Sequence, residues 1–286
     1  MKIAIVGADG QLGSDLAETM EDSDLIPLFY PAFDITKRQS AEKTLLDISA
    51  DVVINTAAYH RVDECEENPG KSFEMNASAV LDLALICNRA GSVLVHFSTD
   101  YVFDGKKKTP YIEEDVPNPL NVYAVSKLAG EYFVRNFSDR YFLVRTCGLY
   151  GKAGCQGKGF NFVDKMVSLG REGKAVAVVN DQWVTPTATS ELAQKIKELI
   201  KTDQYGLYHL TNEGKCTWYE FTSEIIALMN IQIPVKAVDT AEFGAKAKRP
   251  LYSVLENNKA KKIGLSPLSH WKDALKKYLK SKKIPS

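Results

Sequence analysis

Lys2-Ile3-Ala4-Ile5-Val6-Gly7-Ala8-Asp9-Gly10-Gln11-Leu12-Gly13 is the stretch whose reading decides the fold. Its first half is a short apolar run rich in isoleucine and valine, as in a strand buried on both faces of a parallel sheet. Three glycines follow at once, and Leu12, Leu16 and Met20 then recur at helical spacing. The glycines therefore sit on a strand-to-helix turn. A diphosphate needs such a turn, with no side chains in the way and N–H groups at a helix N-terminus. A tight turn is the plainer reading of three glycines taken alone. The strand before them and the helix after them point to a nucleotide. The spacing G-x-x-G-x-x-G is one residue longer than the usual dinucleotide fingerprint.

The same rhythm continues outward from this turn. Strands are predicted at Leu25–Phe29, Asp51–Asn55, Val93–Phe97 and Tyr141–Arg145. Helices are predicted between them at about Ser40–Ile48, Lys71–Ala90 (stopped by Gly91) and from Tyr123 to about Asn136. Five alternations specify an α/β fold, a Rossmann-like doubly wound parallel sheet. Residues 1–151 read as its NAD(P)-binding domain.

Beyond residue 151 the rhythm changes. Lys152–Gly159 reads as a mobile glycine-rich loop. Helices follow at Asn161–Glu172, from Thr189 as N-cap to Lys201, at Trp218–Met229 and at Ser269–Lys280. Between them lie short extended pieces at Ala175–Val179, Gly206–Leu210 and Val235–Val238, and a polar loop at 180–187. These pieces look too short and dispersed for an independent core. Residues 152–286 are read as a smaller, interleaved substrate-binding lobe, with some segments returning to the main sheet.

The totals exclude several classes. The chain has 286 residues, 45% hydrophobic and 25% charged, with 36 basic and 36 acidic side chains. That is ordinary globular composition, with no electrostatic case for nucleic acid or an anionic membrane. The basic run from Lys272 to Lys283 reads as a solvated helix face. Five cysteines at no metal-ligand or redox spacing fit a reducing compartment. No apolar run approaches the ~20 residues of a membrane span, and no signal peptide is visible, so a cytoplasmic location is expected.

The chemistry converges on Asn121-Val122-Tyr123-Ala124-Val125-Ser126-Lys127. A phenol and an ammonium four residues apart share one helix face. The strand 93–97 runs into Ser98-Thr99-Asp100, which brings two hydroxyls and a carboxylate to a strand's carboxyl end, where ligands of such sheets gather. His96, inside the strand, reads as a core histidine. The acidic segment His60–Pro69, with Asp63, Glu64, Glu66 and Glu67, reads as a solvated loop. The end of the second strand carries Phe29-Tyr30-Pro31 and no acidic residue for a ribose 2′-hydroxyl.

Gly7-x-x-Gly10-x-x-Gly13, Ser98-Thr99-Asp100-Tyr101 and Tyr123-x-x-x-Lys127 together resemble the extended short-chain dehydrogenase/reductase family. Within it, Ser98–Phe103, Pro119–Tyr123, Lys127–Glu131, Asn180-Asp181-Gln182 and Gly206–Leu210 resemble the dTDP-4-dehydrorhamnose reductases, over nearly the whole chain. The resemblance implies reduction of the 4-keto group of a dTDP-6-deoxyhexose by NADPH or NADH, NADPH being slightly favoured.

Ketone reduction needs a hydride at carbon and a proton at oxygen. A nicotinamide supplies the first, and Tyr123 is expected to supply the second. Lys127 beside it is expected to lower the phenol's pKa and, by resemblance, to bind the nicotinamide ribose. The resemblance further implies that Thr99 orients the carbonyl and Asp100 touches the sugar. It places Gly7, Gly10, Gln11 and Leu12 at the cofactor diphosphate and Asp34 and Ile35 at the adenine. Ala57, Ala58 and Tyr59 fall along the centre of the dinucleotide, and Phe97 and Ser98 beside the nicotinamide. Gly148 and Arg249 fall on the substrate side. A homodimer is implied as an option, as is magnesium, for which no ligands are assigned.

The pattern departs from the family twice. Gly148 stands where a tryptophan usually packs on the sugar, and Val184 stands where a glycine is usual. An epimerase or dehydratase of the same superfamily, which recycles its cofactor, is the first alternative. A non-catalytic regulatory subunit is the second.

Overall fold

The computed structural model describes residues 1–153 and 159–282. Most of the expected glycine-rich loop at 152–159, including Cys155, lies outside the described residues.

Six parallel strands form the main sheet. Five are β1 (Lys2–Val6), β2 (Asp24–Leu28), β3 (Val52–Asn55), β4 (Val93–Thr99) and β5 (Tyr141–Thr146); the sixth is Gly206–His209. Read across the sheet, the order is Gly206–His209, β5, β4, β3, β1, β2. The chain therefore winds one way from β1 to β2 and the other way from β3 onward. The reversal falls between β1 and β3, where the first loops leave a crevice for a ligand. Pro27 lies in β2, an edge strand, where a missing backbone donor is tolerated.

Alternation along each strand supplies two cores. Ile3 and Ile5 face Leu12 and Leu16 of the Gln11–Thr19 helix and Leu192 and Ile196 of the Thr189–Leu199 helix. Ala4 and Val6 face the opposite way, toward Leu45 of Arg38–Ile48, Leu83 of Ala79–Ala90 and Val134 of Val122–Phe137.

Several expectations change on folding. The single helix expected over 71–90 is three pieces: Pro69–Phe73, a π-turn at Glu74–Ser78, and Ala79–Ala90. The π-turn presses the Asn76 carbonyl onto the neighbouring helix at Gly130. A Cβ there would lie 2.3 Å from that oxygen. Thr189 is not the N-cap. Ala188 holds that position, and the Thr189 hydroxyl instead donates to buried Asp15. The polar loop at 180–187 contains two short strands. Trp183–Val184 pairs with Cys216–Thr217, and Thr187–Ala188 pairs with Leu149–Tyr150.

The later segments also build more than expected. Val163, Val176, Phe221, Ile225, Trp271 and Leu275 close into a core of their own, with Phe162 and Trp218 ring centroids 4.7 Å apart. Each piece is short, but pairing of Val176–Val179 with Val235–Val238 brings distant apolar faces together. No helix among the described residues is long and apolar enough to cross a membrane.

Candidate active site

At the end of β1 the chain must turn sharply beneath the end of β3. Gly7 has φ +73°, and a Cβ on it would lie 2.8 Å from Thr56 Oγ1. The Thr56 hydroxyl donates to Val6 O at 2.7 Å, which ties the two strand ends together. A Cβ on Gly13 would lie 2.1 Å from Gly7 O, so only glycine lets the helix sit this close to the turn. Gly10 is the N-cap, and no side chain caps this helix start. A glycine cradle facing an uncapped helix N-terminus fits a dinucleotide diphosphate. Gln11 and Leu12 are buried at this start, and Ile35 is buried in the adjoining core. Asp34 accepts the N–H and hydroxyl of Thr36 at 2.9 and 2.8 Å.

After β3, the Asn55 side chain accepts the Ala57 N–H at 3.1 Å. Asn76, on the π-turn, exchanges two 2.9 Å hydrogen bonds with the backbone of Tyr59. Ala57, Ala58 and Tyr59 are thereby held, partly exposed, beside the crevice.

The helix Val122–Phe137 begins where Asn121 caps it. The Asn121 side chain accepts from Ala124 N–H at 2.8 Å and donates to Lys248 O at 2.8 Å. A second cap comes from Glu66, which accepts the Val122 N–H at 2.8 Å. Tyr123 follows on the first turn, partly buried. Thr99, at the end of β4, lies beside the Tyr123 phenol and acts on its pKa, and its hydroxyl donates to Asp100 at 3.1 Å. The two hydroxyls expected to meet a ketone oxygen are therefore neighbours. The Tyr101 ring stands edge-on to Tyr123, centroids 6.3 Å apart.

The expected lowering of the Tyr123 pKa is not found. Burial pushes the phenol up, and the nearby Thr99 hydroxyl pulls it back only in part. The Lys127 amine instead lies 3.3 Å from His96 Nε2 inside the protein, and burial takes the lysine down to about 8 while Glu131 acts the other way. Helical spacing puts Tyr123 and Lys127 on one face, but where each side chain ends is decided by its neighbours.

Asp100 is buried, its carboxyl pushed up to about 6 by desolvation, with hydrogen bonds from Cys147 and Thr99 opposing. Cys147 Sγ lies 3.1 Å from Asp100 Oδ2. Phe97 packs in the core on the Leu12 side of the sheet. Ser98 faces the other way and donates to Glu131 at 2.5 Å, and Glu131 forms a buried, two-pronged pair with Arg145 at 2.6 and 2.9 Å. Gly148 has φ +54°, and a Cβ there would lie 3.2 Å from Pro186 Cα and 3.3 Å from the tip of the Trp218 ring. Arg249 is bound on both prongs by Asp63, at 2.8 and 3.2 Å.

The segment read as a solvated acidic loop is instead the helix Val62–Glu67. Asp63 holds Arg249 and the Ala247 N–H, Glu64 accepts from Tyr59, Glu66 caps the Tyr123 helix, and Glu67 pairs with Lys246. Sequence reasoning missed the roles of Glu66, Cys147 and Trp218. Their partners are remote in the chain, so no local pattern marks them. Among the described residues no group of three or more His, Cys, Asp or Glu could hold a metal.

The parallel sheet, the glycine turn at its switch point and the hydroxyl pair at its carboxyl edge define a nucleotide-binding protein of the Rossmann type. The chain belongs to the RmlD substrate binding domain family, whose model matches residues 1–284. It is similar to a dTDP-4-dehydrorhamnose reductase of Bacillus anthracis solved in complex with NADP. That structure is 38% identical, with TM-score 0.94 over 98% of this chain and 100% of that one. It is 35% identical to the spore coat polysaccharide biosynthesis protein SpsK of Bacillus subtilis, over 98% of each chain. It is also 34% identical to a dTDP-4-keto-6-deoxy-D-glucose reductase of Streptomyces niveus, over 95% of this chain and 94% of that one.

Proposed function

We propose that this chain reduces the 4-keto group of a dTDP-6-deoxyhexose with NADPH or NADH, converting dTDP-4-dehydro-L-rhamnose to dTDP-L-rhamnose. The observation that carries the reading is the placing of the Thr99 hydroxyl beside the Tyr123 phenol at the carboxyl end of β4. The reductase activities of the chain's relatives support it. NADPH is preferred in this reading, because the end of β2 offers no carboxylate to a ribose 2′-hydroxyl and one relative is described with NADP.

In this reading, Gly7, Gly10, Gln11 and Leu12 hold the diphosphate against the helix start. Asp34 and Ile35 meet the adenine, Ala57, Ala58 and Tyr59 flank the centre, and Phe97, Ser98 and Lys127 bound the nicotinamide end. The nicotinamide supplies hydride. Tyr123, kept protonated at neutral pH by burial, gives its proton to the ketone oxygen, and Thr99 donates a hydrogen bond to the same oxygen. Asp100, Gly148 and Arg249 bound the sugar side. Gly148 offers the sugar no ring, so Trp218 beside it supplies the aromatic surface. Residues 1–151 form the cofactor domain and 152–286 mainly the substrate lobe. A cytoplasmic homodimer completes the proposal.

A panel of nucleotide-4-keto sugars with each coenzyme tests it through the absorbance of reduced nicotinamide. Stoichiometric oxidation with a dTDP-4-keto-6-deoxyhexose is expected. No oxidation with any of them sinks the reading, and sugar conversion without net coenzyme consumption replaces it with an epimerase.

A further inference from the structure

Asn55 and His96 are paired neighbours on β3 and β4 and face the same side of the sheet. The Ala57 backbone N–H can only donate, so the Asn55 atom 3.1 Å from it is the amide oxygen. The Asn55 amide nitrogen then faces His96 Nδ1 at 3.1 Å. That nitrogen can only donate, so Nδ1 accepts. Burial keeps His96 neutral, its pKa well below that of an ordinary imidazole, and Lys127 acts in the same direction. A neutral imidazole accepting at Nδ1 carries its one proton on Nε2. That atom lies 3.3 Å from Lys127 Nζ.

An ammonium has three donors and no acceptor, so it makes no hydrogen bond to an Nε2–H. An amine does. We propose that His96 is a positioning residue for Lys127, holding its amine form through an Nε2–H donor that Asn55 fixes from the neighbouring strand. When Lys127 takes up a proton, the contact to the imidazole is lost and its N–H groups turn toward the rest of the site. The lysine therefore has two resting places, selected by its own charge. Among the charged neighbours, Glu131 acts on Lys127 from the same helix, and its carboxylate is already bound by Arg145 of β5 and Ser98 of β4. β3 contributes only the neutral Asn55 to this pair. The functional weight of the arrangement rests on the reductase reading; the arrangement itself does not.

His209 provides an internal control. Its Nδ1 lies 3.1 Å from the Tyr111 carbonyl, which only accepts, and its Nε2 faces Arg145 at 3.5 Å. Its proton therefore sits on Nδ1, the opposite tautomer.

Long-range proton–nitrogen NMR of the full chain with labelled histidine reads both rings directly, with His96→Leu assigning the signals. The expected spectrum shows His96 protonated on Nε2 and His209 on Nδ1. A His96 proton on Nδ1, or on both nitrogens, overturns the proposal. The Lys127 titration, followed at Cε in lysine-labelled protein, gives a second readout. In Asn55→Asp the new carboxylate accepts from Nδ1–H, which turns Nε2 into an acceptor for the ammonium. The midpoint should rise by about one pH unit or more. An unchanged midpoint in folded Asn55→Asp overturns the proposal. Neither measurement needs turnover, so both stand even where the sugar panel fails.

Discussion

Glu66 accepts the backbone N–H of Val122 at 2.8 Å, so a carboxylate from one helix caps another helix one residue before its tyrosine. The capped N–H would otherwise be an orphan at a helix start, and a negative charge there also suits the helix dipole. Glu66→Ala should cost about 1 kcal/mol in chemical denaturation. It should also lower kcat, because the first turn that aims Tyr123 loses an anchor. Unchanged kcat together with unchanged stability would remove Glu66 from this role.

Tyr123→Phe deletes the hydroxyl beside Thr99 and leaves the ring in place. Turnover should fall by roughly 100-fold or more, the scale of a lost general acid. Coenzyme binding, followed by fluorescence titration, should stay near wild type. A variant that keeps near-normal turnover would identify the proton donor as some other group.

Gly148→Trp would restore the residue common in the resembling family. At φ +54° any side chain strains the backbone, and Pro186 and the Trp218 ring tip would each have to give by a few tenths of an ångström to admit a Cβ. A cost of roughly 1–3 kcal/mol is expected from the backbone alone, visible as a lowered melting temperature. Wild-type stability would mean that Trp218 and the loop carrying Pro186 move aside easily.

Asp100 makes stability depend on pH. Its folded pKa is about 6, against 3.8 for an ordinary aspartate. Between those values the folded state binds more protons than the unfolded one, so stability falls as pH rises through that window. The cost is fully present above about pH 6. In Asp100→Asn the drop in melting temperature between pH 4 and pH 7 should be smaller than in wild type. An identical drop in both proteins would show that Asp100 ionises without penalty.

Arg249 is two-pronged to Asp63, with its side chain largely buried. Asp63→Ala leaves a guanidinium without its main partner. If Arg249 serves the sugar, KM for the nucleotide sugar should rise several-fold while KM for coenzyme holds steady. Equal changes in both would make the pair a structural clamp and nothing more.

The strand–turn–helix at Lys2–Gly13 and the alternation that builds the parallel sheet were legible from residue order, as was the arrival of Ser98-Thr99-Asp100 at a strand's carboxyl end. Each depends on local periodicity, backbone freedom at glycine, or the rule that loops gather at strand ends. A strand's period of two and a helix's of 3.6 are properties of the chain itself. The joint role of Thr99 with Tyr123 came only from the family resemblance. Tertiary structure alone decided the rest. It turned an acidic run into a capping helix, because the donors for Asp63, Glu66 and Glu67 lie far along the chain. It sent Lys127 toward His96 and left the phenol's pKa raised, because burial and contact depend on which elements pack together. It placed Trp218 against Gly148 and gathered the short later segments into a core. Desolvation and long-range hydrogen bonds act between neighbours in space, and those neighbours exist only once the chain has folded.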